Sequence, residues 1–224
     1  MPRFLPLLAL LLLPLYACNT GGQLDDDDDA TDDDDSASAE PIDTSLVVDQ
    51  TYCSDWDTAT IVEPPDIGML LGLAGVSLAD YPILISPTAI DEGAGTINMR
   101  GATATPSSCT QDVSVPSFDP TATTPGTFTN PHFDVGPTTM TLNLQGIGAL
   151  AFENTLISGD FTADGQAVVD GTLSGMMDVS TLPGACFVLT CVPCPSNSAN
   201  DCAAFLAENI VFNNNGLGPL TAVP

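Results

Sequence analysis

The chain has 224 residues, including 19 glycines and 19 prolines, a length that fits one domain of ordinary size. Two basic residues stand against 29 acidic ones, the formal net charge is -27, and there is no lysine. Proteins that bind nucleic acid neutralise its phosphates with basic side chains, so this composition excludes nucleic acid as a partner. The apolar fraction of 44% also excludes a fully disordered acidic chain, because it supplies enough material for a core.

The N-terminal segment has the order of an export signal. Arg3 precedes an apolar and proline-containing run from Phe4 to Ala17, and Cys18 follows that run. A helix of this length would span about 21 Å, short of the roughly 30 Å hydrocarbon core of a bilayer. We therefore expect residues 1–17 to be a cleaved signal peptide rather than a permanent membrane span.

The residues at the end of this run, Leu15-Tyr16-Ala17-Cys18, resemble the lipobox of bacterial lipoproteins. The resemblance implies that Cys18 is lipidated, that it becomes the mature N-terminus, and that the protein has a membrane as partner through this lipid. Asn19 follows the Cys where an Asp would imply retention in the inner membrane. The implied location is therefore the cell envelope, lipid-anchored in the outer membrane at its periplasmic or surface face. An ordinary cleavable signal with an incidental Cys18 is the alternative.

Residues 18–44 form a predicted tether. Nine of the eleven residues from Asp25 to Asp35 are Asp, and like charges repel and extend a chain, so we expect a disordered spacer. Carboxylates suit Ca²⁺, but a specific site needs fixed loop spacing; Asp25 to Asp35 is thus predicted to attract divalent cations only diffusely. An acidic tether behind a lipidated Cys, followed by a Cys-rich C-terminal part, resembles exported lipoproteins of myxobacterial type.

Six cysteines remain once Cys18 is assigned to the lipid, and an even number in an exported domain predicts three disulfides. Of the fifteen pairings that six cysteines allow, we favour Cys53 with Cys109 and the last four among themselves. A four-cysteine metal site is the alternative, but Cys191-Val-Pro-Cys194 has no second such pair beside it. No metal and no cofactor are predicted. The six are Cys53, Cys109, Cys186, Cys191, Cys194 and Cys202.

Residues 45–224 show the period-two alternation of β-strands. It is clear over 138–145 and over 166–179, where we expect Val169 and Leu173 on the apolar face. Asp164-Gly165 is a turn signal and predicts an antiparallel hairpin between 150–161 and the strand from Gln166 onward. Further short strands are predicted at 45–48, 58–62, 83–85, 97–99, 113–118, 132–135 and 208–212.

Two short helices are predicted beside these strands. One begins after Pro64-Pro65-Asp66 and covers the apolar residues Ile67 to Leu78; the other covers Ser198 to Glu208. About twelve short strands in about 180 residues predict a single all-β domain. We expect either an antiparallel β-sandwich or a closed β-barrel, with one or two short helices and disulfides.

No catalytic residues are predicted, and we expect the protein not to be an enzyme. The single histidine, His132, faces solvent with Asp134 on its strand, and there is no G-x-S-x-G motif to present a serine beside it. Trp56, flanked by Asp55 and Asp57, is a candidate for sugar or calcium contact. Coverage of one end of the core is the favoured alternative for Trp56.

Three functions remain open at this stage. The first is a membrane-anchored exported lipoprotein whose β domain serves envelope association, recognition or adhesion. The second is a lipocalin-like carrier of an apolar ligand, with Leu142, Val169 and Leu173 lining a cavity and Ile67 to Leu78 near its mouth. The third is a carboxylate-dependent glycan hydrolase, which would need two acids about 5–10 Å apart in a cleft.

Overall fold

The structure is a computed structural model that describes residues 40–224. The predicted signal peptide, Cys18 and Asp25 to Asp35 lie outside the described residues. The two α-helices are α1 (Ile67–Leu73) and α2 (Ala185–Val188), and Thr44–Leu46 and Leu78–Asp80 are short 3-10 helices. The strands are β1 (Tyr52–Asp55), β2 (Thr60–Glu63), β3 (Ile83–Asp91), β4 (Thr96–Thr103), β5 (Gly126–Thr129), β6 (His132–Leu144), β7 (Gly148–Phe161), β8 (Ala167–Asp178), β9 (Val192–Pro193) and β10 (Asp201–Asn214).

The ten strands form one antiparallel sheet. Strands β3 to β8 are hydrogen-bonded neighbours in chain order, and β10 follows β8. Strand β1 pairs with both β3 and β10, so it closes the row into a ring of eight strands. Strands β2 and β9 pair with β10 at other points along its length. The all-β prediction is confirmed, and the ring closure is that of a barrel.

The core lies inside this ring and is filled by side chains. Alternate residues of the long strands point inward, among them the fully buried Phe133, Phe152 and Phe205. The rings of Phe152 and Phe205 meet edge to face with centroids 5.1 Å apart. Each such side chain contributes about 1.5–3 kcal/mol by leaving water. Leu142 and Leu173, which the carrier hypothesis places around a cavity, are both packed in this core.

The predicted β7–β8 hairpin is confirmed. Its turn is closed by the carboxylate of Asp164, which accepts hydrogen bonds from Thr162 Oγ1 (2.7 Å) and from the backbone N–H of Gln166 (3.0 Å). Gly165 has a φ of +66°, a conformation that glycine adopts without steric cost.

The predicted inward face of β8 is wrong at Val169. Ser158 of β7 pairs with Thr172, but Asp160 pairs with Val169, so β8 contains one extra residue at this point. The extra residue forms a bulge around Asp170, whose φ is 50°. Because the bulge reverses the alternation, Val168 is buried in the core and Val169 is only partly buried.

Three other predicted elements are wrong in type. Residues 45–48 belong to a 3-10 turn, because the Asp43 carboxylate accepts from the backbone N–H of Ser45 (3.0 Å) and holds the chain in a turn. Residues 113–118 do not form a strand, and only Phe118 makes a β-bridge, to Gly101. The segment 198–208 is not helical, because β10 begins at Asp201 and pairs with β8. The helix predicted over 67–78 is confirmed only as far as Leu73.

The C-terminal residues cover the outer side of β1, β3 and β4. Leu220 packs on Leu84 and Ala102 in a second, smaller apolar cluster. Its carbonyl accepts a hydrogen bond from Arg100 Nη1 (3.0 Å), and Gln111 exchanges two hydrogen bonds with the backbone of Thr221. Arg100, the only Lys or Arg in residues 40–224, is thus held at a backbone carbonyl.

Candidate functional site

The six cysteines of residues 40–224 form three disulfides, as predicted. The pairs are Cys53–Cys109, Cys186–Cys191 and Cys194–Cys202. Glu153 lies close enough to Cys194 and Cys202 to share a metal ion, but both sulfurs are joined to each other and offer no thiolate. The Glu153 carboxylate instead accepts hydrogen bonds from the backbone and hydroxyl of Ser196. Disulfides are compatible with an extracytoplasmic location.

No helix within residues 40–224 is both long enough and apolar enough to cross a membrane.

Trp56 occupies a core position. Its side chain is 8% exposed, and its indole N–H donates to the carbonyl of Tyr81 (3.2 Å). The flanking Asp55 and Asp57 line a shallow cleft of about 210 Å³ on the outer surface, opposite Asn213 and Asn215. The Asp55 carboxylate accepts from the backbone N–H of Asp57 (3.0 Å), which is ordinary turn chemistry. A sugar or calcium contact by these residues stays a prediction.

His132 lies on the outer face of the sheet between two carboxylates. Its Nδ1 is 2.5 Å from Asp160 Oδ1 on the neighbouring strand β7, and its Nε2 is 3.4 Å from Asp134 Oδ2. Both ring nitrogens therefore face acids. Within the described part of the chain no hydroxyl is hydrogen-bonded to His132; the nearby hydroxyl of Ser158 pairs with that of Thr172 (2.7 Å). The arrangement holds the ring in place but presents no nucleophile to it.

A groove of about 660 Å³ lies on the outer side of β8 and β10. One wall is the turn that joins β2 to α1, from Glu63 to Asp66. The facing wall is the chain from Val188 to Val192, and Met176 and Ala204 lie between the two walls. The lining is mainly apolar, and its volume falls within the roughly 300–1,000 Å³ of ligand-binding sites.

In the second wall Val192 belongs to β9, and residues 188–190 belong to a small loop closed by the disulfide between Cys186 and Cys191, which are five residues apart in sequence. Phe187 in this loop is 95% exposed, and Val188 and Val192 are 47% and 44% exposed. Each of the other phenylalanines in residues 40–224 is buried. Val188 and Val192 line the groove, whereas Phe187 lines a separate cleft of about 290 Å³ with Leu182 and Pro183. We call Phe187, Val188, Val192 and the groove the recognition face.

Sequence reasoning did not find the recognition face. The cysteines around it predicted disulfides, and one of these joins Cys186 and Cys191. The signal that was available is local: Phe187 and Val188 are apolar residues enclosed by two nearby cysteines, in a loop too short to bury them. The groove itself combines four separate parts of the chain, which no local pattern shows.

The chain has no match among protein-family models, curated proteins or solved structures. A fixed apolar loop beside an apolar groove has the composition of a protein-binding surface, where a few aromatic side chains dominate the affinity.

Proposed function

We propose that this protein is a lipid-anchored exported protein whose β domain recognises a partner polypeptide through the recognition face. The observation that carries the proposal is the 95% exposure of Phe187 on a loop that a disulfide closes. An aromatic ring in this position contributes nothing to the core of its own domain. It is free to enter a pocket of a partner.

The free energy of such a contact favours binding. Burial of a phenylalanine side chain contributes about 1.5–3 kcal/mol. The disulfide between Cys186 and Cys191 already restricts the loop, so little further ordering opposes binding. Val188, next to Phe187 in the chain, and Val192 are also exposed and add apolar area for a partner to cover.

The anchoring part of the proposal is supported by Leu15-Tyr16-Ala17-Cys18. Lipid chains contribute about 0.8 kcal/mol per buried CH₂, and more than one chain gives stable attachment. The three disulfides fit the oxidising compartment that such an export route reaches.

The test uses the full lipidated chain in phosphatidylcholine vesicles passed over immobilised envelope fragments of the producing bacterium. We expect Phe187→Ser to reduce the retained fraction of vesicles at least about fivefold, the equivalent of about 1 kcal/mol. The matched control is Val113→Ser, because Val113 is also an exposed apolar side chain, at 66%, and does not line the groove. It should leave retention unchanged.

Equal retention of the Phe187→Ser and unaltered proteins would remove the recognition face from the proposal. The anchor is tested by expressing the Cys18→Ala form in the producing bacterium. This form should lose the mass of the lipid and leave the envelope fraction. A Cys18→Ala protein that still sediments with the envelope would contradict lipid anchoring.

A further inference from the structure

One edge of β10 is only partly paired. Along this edge β9 covers Asp201 and Cys202, β2 covers 206–208, and β1 covers 211–214. Within residues 40–224 no strand pairs with Ala203–Phe205 on this side, although β8 pairs with them on the other. The edge therefore contains a gap three residues long.

The groove of the recognition face lies at this gap, since Ala203 and Ala204 line it. In a strand the N–H and C=O of one residue point to the same side and successive residues alternate, so at least one of these three residues directs both groups into the gap. An unpaired strand edge is a template for another strand. Val192 and Glu63 are the last paired residues on the two sides of the gap. Pro64 follows Glu63, and proline limits further pairing on that side because it has no N–H.

The charge around the groove determines the sign of charge that a partner needs. Glu63 and Asp66 line it and are exposed. Removal of the nine Asp of the tether run, Glu40 and Asp43 from the 29 acidic residues leaves 18 in residues 45–224, against Arg100 alone. Arg100 donates to the Leu220 carbonyl. An acidic partner, or an anionic lipid surface, would be repelled.

We propose that the groove binds an extended polypeptide segment that adds a short strand beside β10, with a basic side chain next to an apolar one. The backbone of the segment pairs at Ala203–Phe205, its basic side chain lies near Glu63 and Asp66, and its apolar side chain contacts Val188 and Val192. A lipid would supply no backbone N–H groups for the edge. This inference rests on the proposed function and names the class of its partner.

The test compares three eight-residue peptides by fluorescence anisotropy, with the full lipidated chain in phosphatidylcholine vesicles and empty vesicles as blank. In the first peptide Lys alternates with Val; in the second Glu alternates with Val. The third repeats the first with every backbone amide N-methylated, since methylation of alternate amides would leave one edge of the strand free to pair. We expect the first to bind, the second to bind at least about tenfold more weakly, and the third about five- to tenfold more weakly, because strand pairing needs the amides.

The third peptide keeps the charge of the first, so it separates strand pairing from simple attraction to the acidic tether. Glu63→Gln combined with Asp66→Asn should weaken the first peptide about threefold. Asp170→Asn is the matched control, because Asp170 is exposed, lies outside the groove, and has a positive φ that Asn also tolerates. It should leave the affinity unchanged.

Equal affinity of the methylated and unmethylated peptides would overturn strand addition, and equal affinity of the Lys and Glu peptides would overturn the basic partner. If these arms fail while Phe187→Ser still lowers retention on envelope fragments, the proposed function stands and this inference alone falls. If Phe187→Ser has no effect either, the proposed function falls with it. If the first peptide bound empty vesicles as strongly as vesicles that carry the protein, that result would also contradict the inference.

Discussion

Tyr52 connects the first strand of the ring to the β7–β8 turn. Its ring is fully buried and its hydroxyl donates to the carbonyl of Gly165 (2.9 Å). Burial, and then the negative charge of Asp164, raise the pKa of Tyr52 well above the usual value of about 10. The folded state favours the neutral phenol of Tyr52. The stabilisation that results is therefore complete below about pH 10 and is lost as the pH rises further.

We expect Tyr52→Phe to lower the free energy of unfolding by about 1 kcal/mol at pH 7, since one hydrogen bond is lost. Above pH of about 10 the difference should shrink, because the variant has no phenol at this position to ionise on unfolding. Urea unfolding of both proteins at pH 7, 9 and 11 measures this. A difference that stays constant over the three pH values would show that Tyr52 does not control the alkaline limit.

At the scale of elements, the disulfides differ in the length of chain that they close. Cys53–Cys109 spans 56 residues and Cys186–Cys191 spans 5. The loop-closure relation gives about 4 kcal/mol for the long loop and about 2 kcal/mol for the short one. The Cys53–Cys109 disulfide thus mainly stabilises the fold, and the Cys186–Cys191 disulfide mainly fixes the loop that carries Phe187.

Replacing Cys186 and Cys191 together by Ser should therefore cost about 2 kcal/mol of unfolding free energy, yet reduce retention on envelope fragments as Phe187→Ser does. The matched double variant, Cys53→Ser with Cys109→Ser, should cost about 4 kcal/mol and leave retention unchanged where the protein remains folded. Urea unfolding and the vesicle assay give the two readouts. The reverse pattern, with retention lost only in the second variant, would contradict these roles.

The sequence was sufficient for those elements whose pattern is local. Alternation over 138–145 and the Asp164-Gly165 signal indicated β6, β7, β8 and their hairpin, because neighbouring residues decide all of these. For β10 it was sufficient only in the second half, where the strand predicted at 208–212 is confirmed, and insufficient in the first half. Ala203, Ala204 and Ala207 have high helix propensity, and only pairing with β8 makes this segment a strand.

Long-range closure had no local signal either. Tyr52 pairs with Asn214, and the sequence around these two residues does not indicate that they pair. The groove depends on the same kind of contact, since it combines the turn at 63–66, Met176, the 188–192 segment and β10. The sequence therefore did not predict the candidate site, although it predicted that the last four cysteines, two of which flank the site, pair among themselves.

At the scale of the whole molecule, repulsion between acids opposes the compact state. Residues 45–224 contain 18 acidic residues and Arg100 as the only Lys or Arg. Within residues 40–224 the carboxylates that have an Arg or His side-chain nitrogen within 4 Å are those of Asp134 and Asp160, both beside His132. The range of this repulsion is set by salt, with a Debye length of about 30 Å at 0.01 M and about 8 Å at 0.15 M. Stability should therefore rise steeply over this interval and level off above it.

We expect the melting temperature of the full chain to increase by roughly 2–4 °C between 0.01 and 0.15 M NaCl, the equivalent of about 1 kcal/mol for a protein of this size. Scanning calorimetry at pH 7 measures it, and sucrose at matched osmolality is the control, because it adds no ions. Retention through the basic partner should fall over the same interval, since salt screens attraction as well as repulsion. A melting temperature that does not change with NaCl would mean that the acidic side chains lie too far apart for their repulsion to destabilise the fold.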